Sequence, residues 1–286
     1  MTFGKAVLSL AVLLLATVPL ALAQGTYTQI DYPGALYTEC EGINAAGNIS
    51  GIFQGAAGNW QGFYFSDGVF TAINYPGALA TYLYGLNDAG QIVGYASFPG
   101  YSYVGFIYDA TGGTFTEVKY GGANSTLPIG INDVGTVAGA IEVGKNVFGF
   151  ELVGSAFRKV VPPGAQSSGV AGVSESGELV GSVSYGQTEA SFYFNQDQFR
   201  RITIPDTPHA IIEGINSTGS AIVGQKAGSP VGFLYQNGSV QQVRFPGYGT
   251  YVAGVNDALQ VVGYFQDNSG YYHGFLWTPP ADAAKK

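Results

Sequence analysis

Apolar and β-branched residues in this chain fall in short runs, each cut off by a turn rich in Gly, Asn, Asp or Pro, as expected for many short strands. The runs recur as a unit. Gly42-Ile43-Asn44 returns as Gly85-Leu86-Asn87, Gly130-Ile131-Asn132, Gly172-Val173-Ser174, Gly214-Ile215-Asn216 and Gly254-Val255-Asn256, at spacings of 43, 45, 42, 42 and 40 residues. A second glycine follows nine residues later in five copies and ten later, at Gly224, in the fifth. A phenylalanine comes next in all six: Phe63, Phe106, Phe150, Phe192, Phe233 and Phe275.

Each unit reads as four strands. The first ends at the Gly-Ile-Asn segment, and a turn such as Asn87-Asp88-Ala89-Gly90 leads to the second, Gln91–Tyr95, because Asn and Asp bond to the local backbone and Gly supplies a positive φ. The phenylalanine marks the third, and the fourth, such as Phe70–Tyr75, stops at Pro76-Gly77 since proline cannot donate to a ladder. Four antiparallel strands in about 40–45 residues make one propeller blade. Coils of a parallel β-helix are shorter, and paired sandwiches do not require six equal units. The predicted fold is therefore all-β: a six-bladed β-propeller spanning 24–280, with a short tail at 281–286.

The chain ends support a closed ring. The sixth unit stops at Trp277 before Pro279-Pro280, while an orphan segment, Thr26 to Gly34, precedes the first unit and matches Phe70 to Gly77. The missing fourth strand of the last blade is thus expected from the front of the chain, which removes two exposed edges. The conserved spacing also predicts the core. The phenylalanines, and the same-face residues two further on (Phe65, Tyr108, Leu152, Phe194, Tyr235 and Trp277), should fill the gaps between blades, each contributing on the order of 2–3 kcal/mol.

Composition narrows the function classes. Charged residues make up 10% of the chain and the net charge is −8, which argues against nucleic acid as a partner. One cysteine, Cys40, excludes an intramolecular disulfide framework. Residues 1–23 carry Lys5, an apolar run from Ala6 to Ala16 and a small-residue site, Ala21-Leu22-Ala23, the pattern of a secretory signal peptide. An uncleaved anchor is the rival reading, disfavoured by Pro19 and that cleavage site. A monomer, periplasmic or secreted, is expected, with no membrane span after cleavage and no cofactor.

The repeats resemble the HAF repeat of bacterial extracellular proteins. His273-Gly274-Phe275 is nearest to its His-Ala-Phe segment, and Gly85 to Gly94 to its Gly-Ile-Asn-x-x-Gly-x-Val-Val-Gly run. Five copies replace the His-Ala pair, and Leu259 stands where the turn glycine is expected. The resemblance implies an exported repeat protein and transfers no catalytic residues.

Candidate chemistry is sparse. His209 and His273 are expected in loops opening on one face, and a metal would need at least one further ligand. Glu41 and Glu213 replace Tyr84, Ile129, Ala171 and Ala253 of the other units, directly before Gly-Ile-Asn; Glu39 is close to the first. Paired carboxylates can cleave glycosides, but blades one and five are not adjacent, which favours a structural or channel-lining role. Glu41, Glu213 and His209 are therefore the weak catalytic candidates. No Gly-x-Ser-x-Gly elbow occurs. Arg158, Arg200, Arg201 and Arg244 are placed on outer fourth strands, and Asp88, Asp133 and Asp257 in turns.

The segments between second and third strands are richer. Trp60, Tyr101, Tyr103, Tyr185, Tyr271, Tyr272 and His273 form the candidate ligand-binding set, interleaved with Asn59, Gln187 and Asn268. Aromatics beside amides stack on sugars or bind an extracellular protein; the alternative is that each ring folds onto its own blade.

Overall fold

The computed structural model of this protein describes residues 25–100 and 102–280, so the expected signal peptide, Tyr101 and the C-terminal tail lie outside the described residues. Within them the chain forms six four-stranded antiparallel sheets arranged as a six-bladed propeller. Five blades are sequential meanders. The sixth takes its outer strand, Thr26–Ile30, from the front, pairing antiparallel with Tyr272–Thr278 so that Gln29 faces Phe275 and Ile30 faces Gly274.

Each first strand lies innermost and carries a register shift just before its Gly-Ile-Asn glycine, between Cys40 and Gly42 in blade one and between Ile212 and Gly214 in blade five. Such bulges sharpen strand twist, and these bring six glycines into one ring. A Cβ on Gly42 would sit 2.6 Å from the Tyr84 carbonyl oxygen; one on Gly85, 2.7 Å from that of Ile129; one on Gly214, 2.7 Å from that of Ala253. Only a residue without a side chain lets neighbouring backbones approach so closely.

Outside that ring runs a belt of hydrogen bonds. The Asn44 amide donates to the Asn87 carbonyl oxygen (3.3 Å), Asn87 to that of Asn132 (3.0 Å), Asn132 to that of Ser174 (2.9 Å) and Asn256 to that of Asn44 (3.0 Å). Where Ser174 lacks an amide, the Glu175 N–H donates to the Ser217 carbonyl oxygen at 2.8 Å, and Asn216 donates to Asp257 at 2.7 Å. Asp88, Asp133 and Asp257 occupy the turns as expected, each accepting a backbone N–H of the preceding blade.

Six core clusters fill the six gaps between blades. The repeated phenylalanines are all buried, as is Trp277. Three sequence assignments need correction. Arg244 lies one residue beyond its strand, Ser239–Val243. His273 is in the strand Tyr272–Thr278, not in a loop. Trp60, Tyr103, Tyr185 and Tyr272 are likewise strand residues, because the hairpins between second and third strands are tighter than their variable sequences suggest.

Candidate functional site

Alternation along the inner strands turns every second side chain to the axis. The residue preceding each Gly-Ile-Asn glycine therefore lines a central channel of about 340 Å³: Glu41, Tyr84, Ile129, Ala171, Glu213 and Ala253. The channel brings Glu41 and Glu213 to one cavity although their blades are not neighbours. The intervening blade contributes Ala253, Gly254 and Val255, none with a side chain long enough to screen one carboxylate from the other, so both glutamates line the channel as expected.

Blades six, one and two carry an arc of aromatic rings, of which Tyr84 lines the channel itself. Tyr251 stacks on Tyr264 (centroids 5.0 Å apart), which meets Tyr272 at 5.2 Å. Tyr37 contacts Tyr272 (5.8 Å), Tyr271 (5.4 Å) and Trp60 (6.0 Å). In blade two Tyr95 packs against Tyr82 (5.1 Å), Tyr84 (5.4 Å) and Tyr103 (5.3 Å), and the Tyr84 and Tyr95 hydroxyls share a hydrogen bond of 2.9 Å. Blades three to five offer smaller or aliphatic groups, among them Ile129, Ala140, Ala171 and Ile211.

Between the tyrosines lie the carboxylates. Burial pushes the Glu39 carboxyl up to about 7. Glu41 is raised well above the usual carboxylate range by burial first and then by the charges of Glu39 and Glu213. Glu213 is raised by burial and partly held back by the Gln225 amide, which donates to it at 2.9 Å. Desolvation disfavours the ionised form wherever no cation compensates, and no Lys, Arg or His lines this channel. Burial likewise raises Tyr84 and Tyr264, and Tyr95 to about 12.

Of the predicted ligand residues, Trp60, Tyr271 and Tyr272 come together around Tyr37, and Tyr103 joins the blade-two cluster. Tyr185 stands exposed on blade four, apart from both. His273 is held by Asp31 (2.9 Å), Asp267 (3.5 Å) and Gln29 (3.2 Å), fastening the closing strand to its blade. His209 is exposed at φ 59° and lines a separate cavity with Ser167, Ser184 and Glu189. The two histidines thus serve different places, and among the described residues no three metal-ligating side chains are grouped to hold an ion. Sequence reading missed Tyr37, Tyr82, Tyr95, Tyr251 and Tyr264. Their signal was the every-second-residue run Tyr37, Glu39, Glu41 and its counterpart Tyr82, Tyr84.

No protein-family model and no curated protein matches the chain in sequence. Solved structures match it in fold. TolB from Acinetobacter baumannii is 12% identical with a TM-score of 0.56 over 81% of this chain, which spans 63% of that TolB. The Aleuria aurantia lectin, solved with Fucα1-6GlcNAc, is 13% identical with a TM-score of 0.55, covering 87% of this chain and 94% of the lectin. A gluconolactonase from Xanthomonas campestris is 13% identical with a TM-score of 0.53, covering 91% and 93%. The likeness establishes a β-propeller and nothing finer, since one architecture carries binding and catalysis alike. Among the described residues no helix is long and apolar enough to cross a membrane.

Proposed function

We propose that this protein is an exported, non-catalytic binding module that recognises carbohydrate at the arc of tyrosines carried by blades six, one and two. The observation that carries the reading is the aromatic arc over blades six, one and two, with carboxylates set between its rings. Flat rings cover the apolar face of a sugar, while phenol and carboxylate oxygens accept its hydroxyl hydrogens. The resemblance of the units to the HAF repeat and the signal-like leader support export. The lectin shares the architecture, which makes a sugar ligand compatible with the fold. A glycan array followed by calorimetry tests the proposal. Binding should weaken at least about tenfold in Tyr37→Ala and Trp60→Ala, near 1.4 kcal/mol, with thermal stability retained; no glycan binding at all would overturn it.

A second reading, a glycosidase or polysaccharide lyase, draws on one observation: Glu41 and Glu213 face the same cavity. A protonated carboxyl beside an ionised one is the equipment of acid–base cleavage. It predicts release of reducing ends or unsaturated products from a polysaccharide, and loss of turnover in Glu213→Gln. His209, in its separate cavity, has no part in this reading.

A further inference from the structure

We infer that the group taken into the channel is an organic ammonium, and that the carbohydrate is therefore an amino sugar with a free amine. This rests on the carbohydrate reading above for the sugar, but not for the charge. Glu41 and Glu213 line the channel, and Glu39 lies within electrostatic reach of Glu41, where nothing positive compensates them. Among the described residues the ion pairs are those of Arg158 and His273, and neither reaches the channel.

The second observation is Glu41 itself. Its side chain lines the channel, half-buried, and makes no hydrogen bond or ion pair; its electrostatic neighbours are the like charges of Glu39 and Glu213. A carboxylate partly withdrawn from water beside two like charges is disfavoured in its ionised form, and a bound cation would relieve that. Beside Glu213, the Gln225 carbonyl oxygen is also buried without a donor. The site is thus short of hydrogen-bond donors as well as positive charge, and an ammonium supplies both.

The surroundings select the type of cation. Glu41 and Glu213 stand on different blades around a bore of about 340 Å³ and no three metal-ligating groups are clustered among the described residues, so a compact metal ion is poorly matched. Tyrosine faces attract polyatomic cations through the ring quadrupole, and Tyr84, Tyr264 and Tyr272 all lie within electrostatic reach of Glu39. A neutral sugar would satisfy the rings and leave the carboxylates uncompensated.

Cation binding must also compete with protons. The titratable groups facing Glu41 are Glu39, Glu213, Tyr84, Tyr95 and Tyr264, with Tyr272 facing Glu39. The phenols remain neutral, so ionisation of the three carboxyls sets the affinity. Binding of a permanently charged amine should release protons and strengthen as pH rises through about 7, where Glu39 titrates, with Glu41 and Glu213 raised in the same direction.

Calorimetry on the whole protein can use three probes: glucosamine oligomers, their N-acetylated counterparts and tetramethylammonium. The glucosamine oligomer is expected to bind at least about tenfold tighter than the N-acetylated one, and Glu41→Gln should abolish the difference while leaving the melting temperature unchanged or higher. Tetramethylammonium should bind more tightly at about pH 8 than at about pH 5.5, with heats that depend on the buffer's own protonation enthalpy. Equal or tighter binding of the N-acetylated oligomer would overturn the ammonium assignment and leave sugar binding standing. Tetramethylammonium binding without any sugar binding would support the ammonium assignment and overturn the sugar. Failure of all three probes to bind would overturn both.

Discussion

Gly254 of the last blade abuts Gly42 of the first: a Cβ on Gly254 would lie 3.3 Å from the Gly42 α-carbon and 3.1 Å from the Glu41 carbonyl oxygen. The contact closes a ring in which each blade's glycine meets the backbone of the next. It also explains the sixfold recurrence of this residue, since any side chain would push two blades apart.

Gly85→Ala is accordingly expected to destabilise the fold by about 1–3 kcal/mol, since its Cβ would meet Ile129 and Gly130 backbone atoms that cannot rotate away. Gly169→Ala, with no atom within 4 Å of its added Cβ, is the control and should be close to neutral. Thermal unfolding of both variants measures the difference.

The ring was legible because its marks repeat six times: Gly-Ile-Asn, the second glycine and the phenylalanine each survive local divergence. Even the inserted residue before Gly224 reappears as a longer turn, where the Ala221 N–H reaches the Asn216 side chain across five positions instead of the usual four. The candidate site was only half legible. Glu41 and Glu213 stood out as departures from the repeat, but Tyr37, Tyr95 and Tyr264 did not, since alternation shows that a residue has a face without showing which rings that face will meet. Tyr185 lies on blade four, away from both aromatic clusters.

Removing the closing strand, residues 26–30, should leave the strand Tyr272–Thr278 as an open edge and take away Tyr27, whose hydroxyl accepts the Arg244 N–H at 2.7 Å and whose ring packs on Phe245 and Phe275. Light scattering after gel filtration is expected to show oligomers or aggregate, and a peptide of residues 25–34 added in trans should restore the smaller species. A truncated protein that stays monomeric with unchanged melting would refute the clasp.

The unliganded protein should melt at a higher temperature near pH 5 than near pH 8. Glu39 titrates at about 7 in the folded state, above the ordinary glutamate value of roughly 4.3. Between those values the folded state holds the proton that the unfolded state has lost, so stability is full below the lower value and declines as pH rises through the upper one. Glu41 and Glu213 are raised in the same direction. Glu39→Gln should flatten the profile, as differential scanning calorimetry across that range can establish.

Arg158 joins blades three and four. It grips the buried Glu151, reaches Asp197 at 2.7 Å and lies 4.8 Å above the Phe194 ring. Arg158→Ala should cost about 1.5–3 kcal/mol by stranding Glu151, whereas Asp197→Ala, an exposed partner, should cost less than about 1 kcal/mol. Pairing Arg158→Ala with Glu151→Leu is expected to recover much of the loss, which denaturant titration of all four proteins would report.

Cys40 is fully buried between the closing strand and blade one, and burial, then the Glu41 and Asp31 charges, raise its thiol well above the ordinary range. A thiol reagent should label it at least about a hundredfold more slowly in the native protein than in denaturant. Rapid native labelling would mean that the clasp opens readily.

The clasp also imposes an order on biosynthesis. Residues 26–30 leave the ribosome well before their partners at 274–278, so the closing strand must stay unmated while all the intervening blades are made. A chain interrupted anywhere between the two is left with that ribbon and no mate for it.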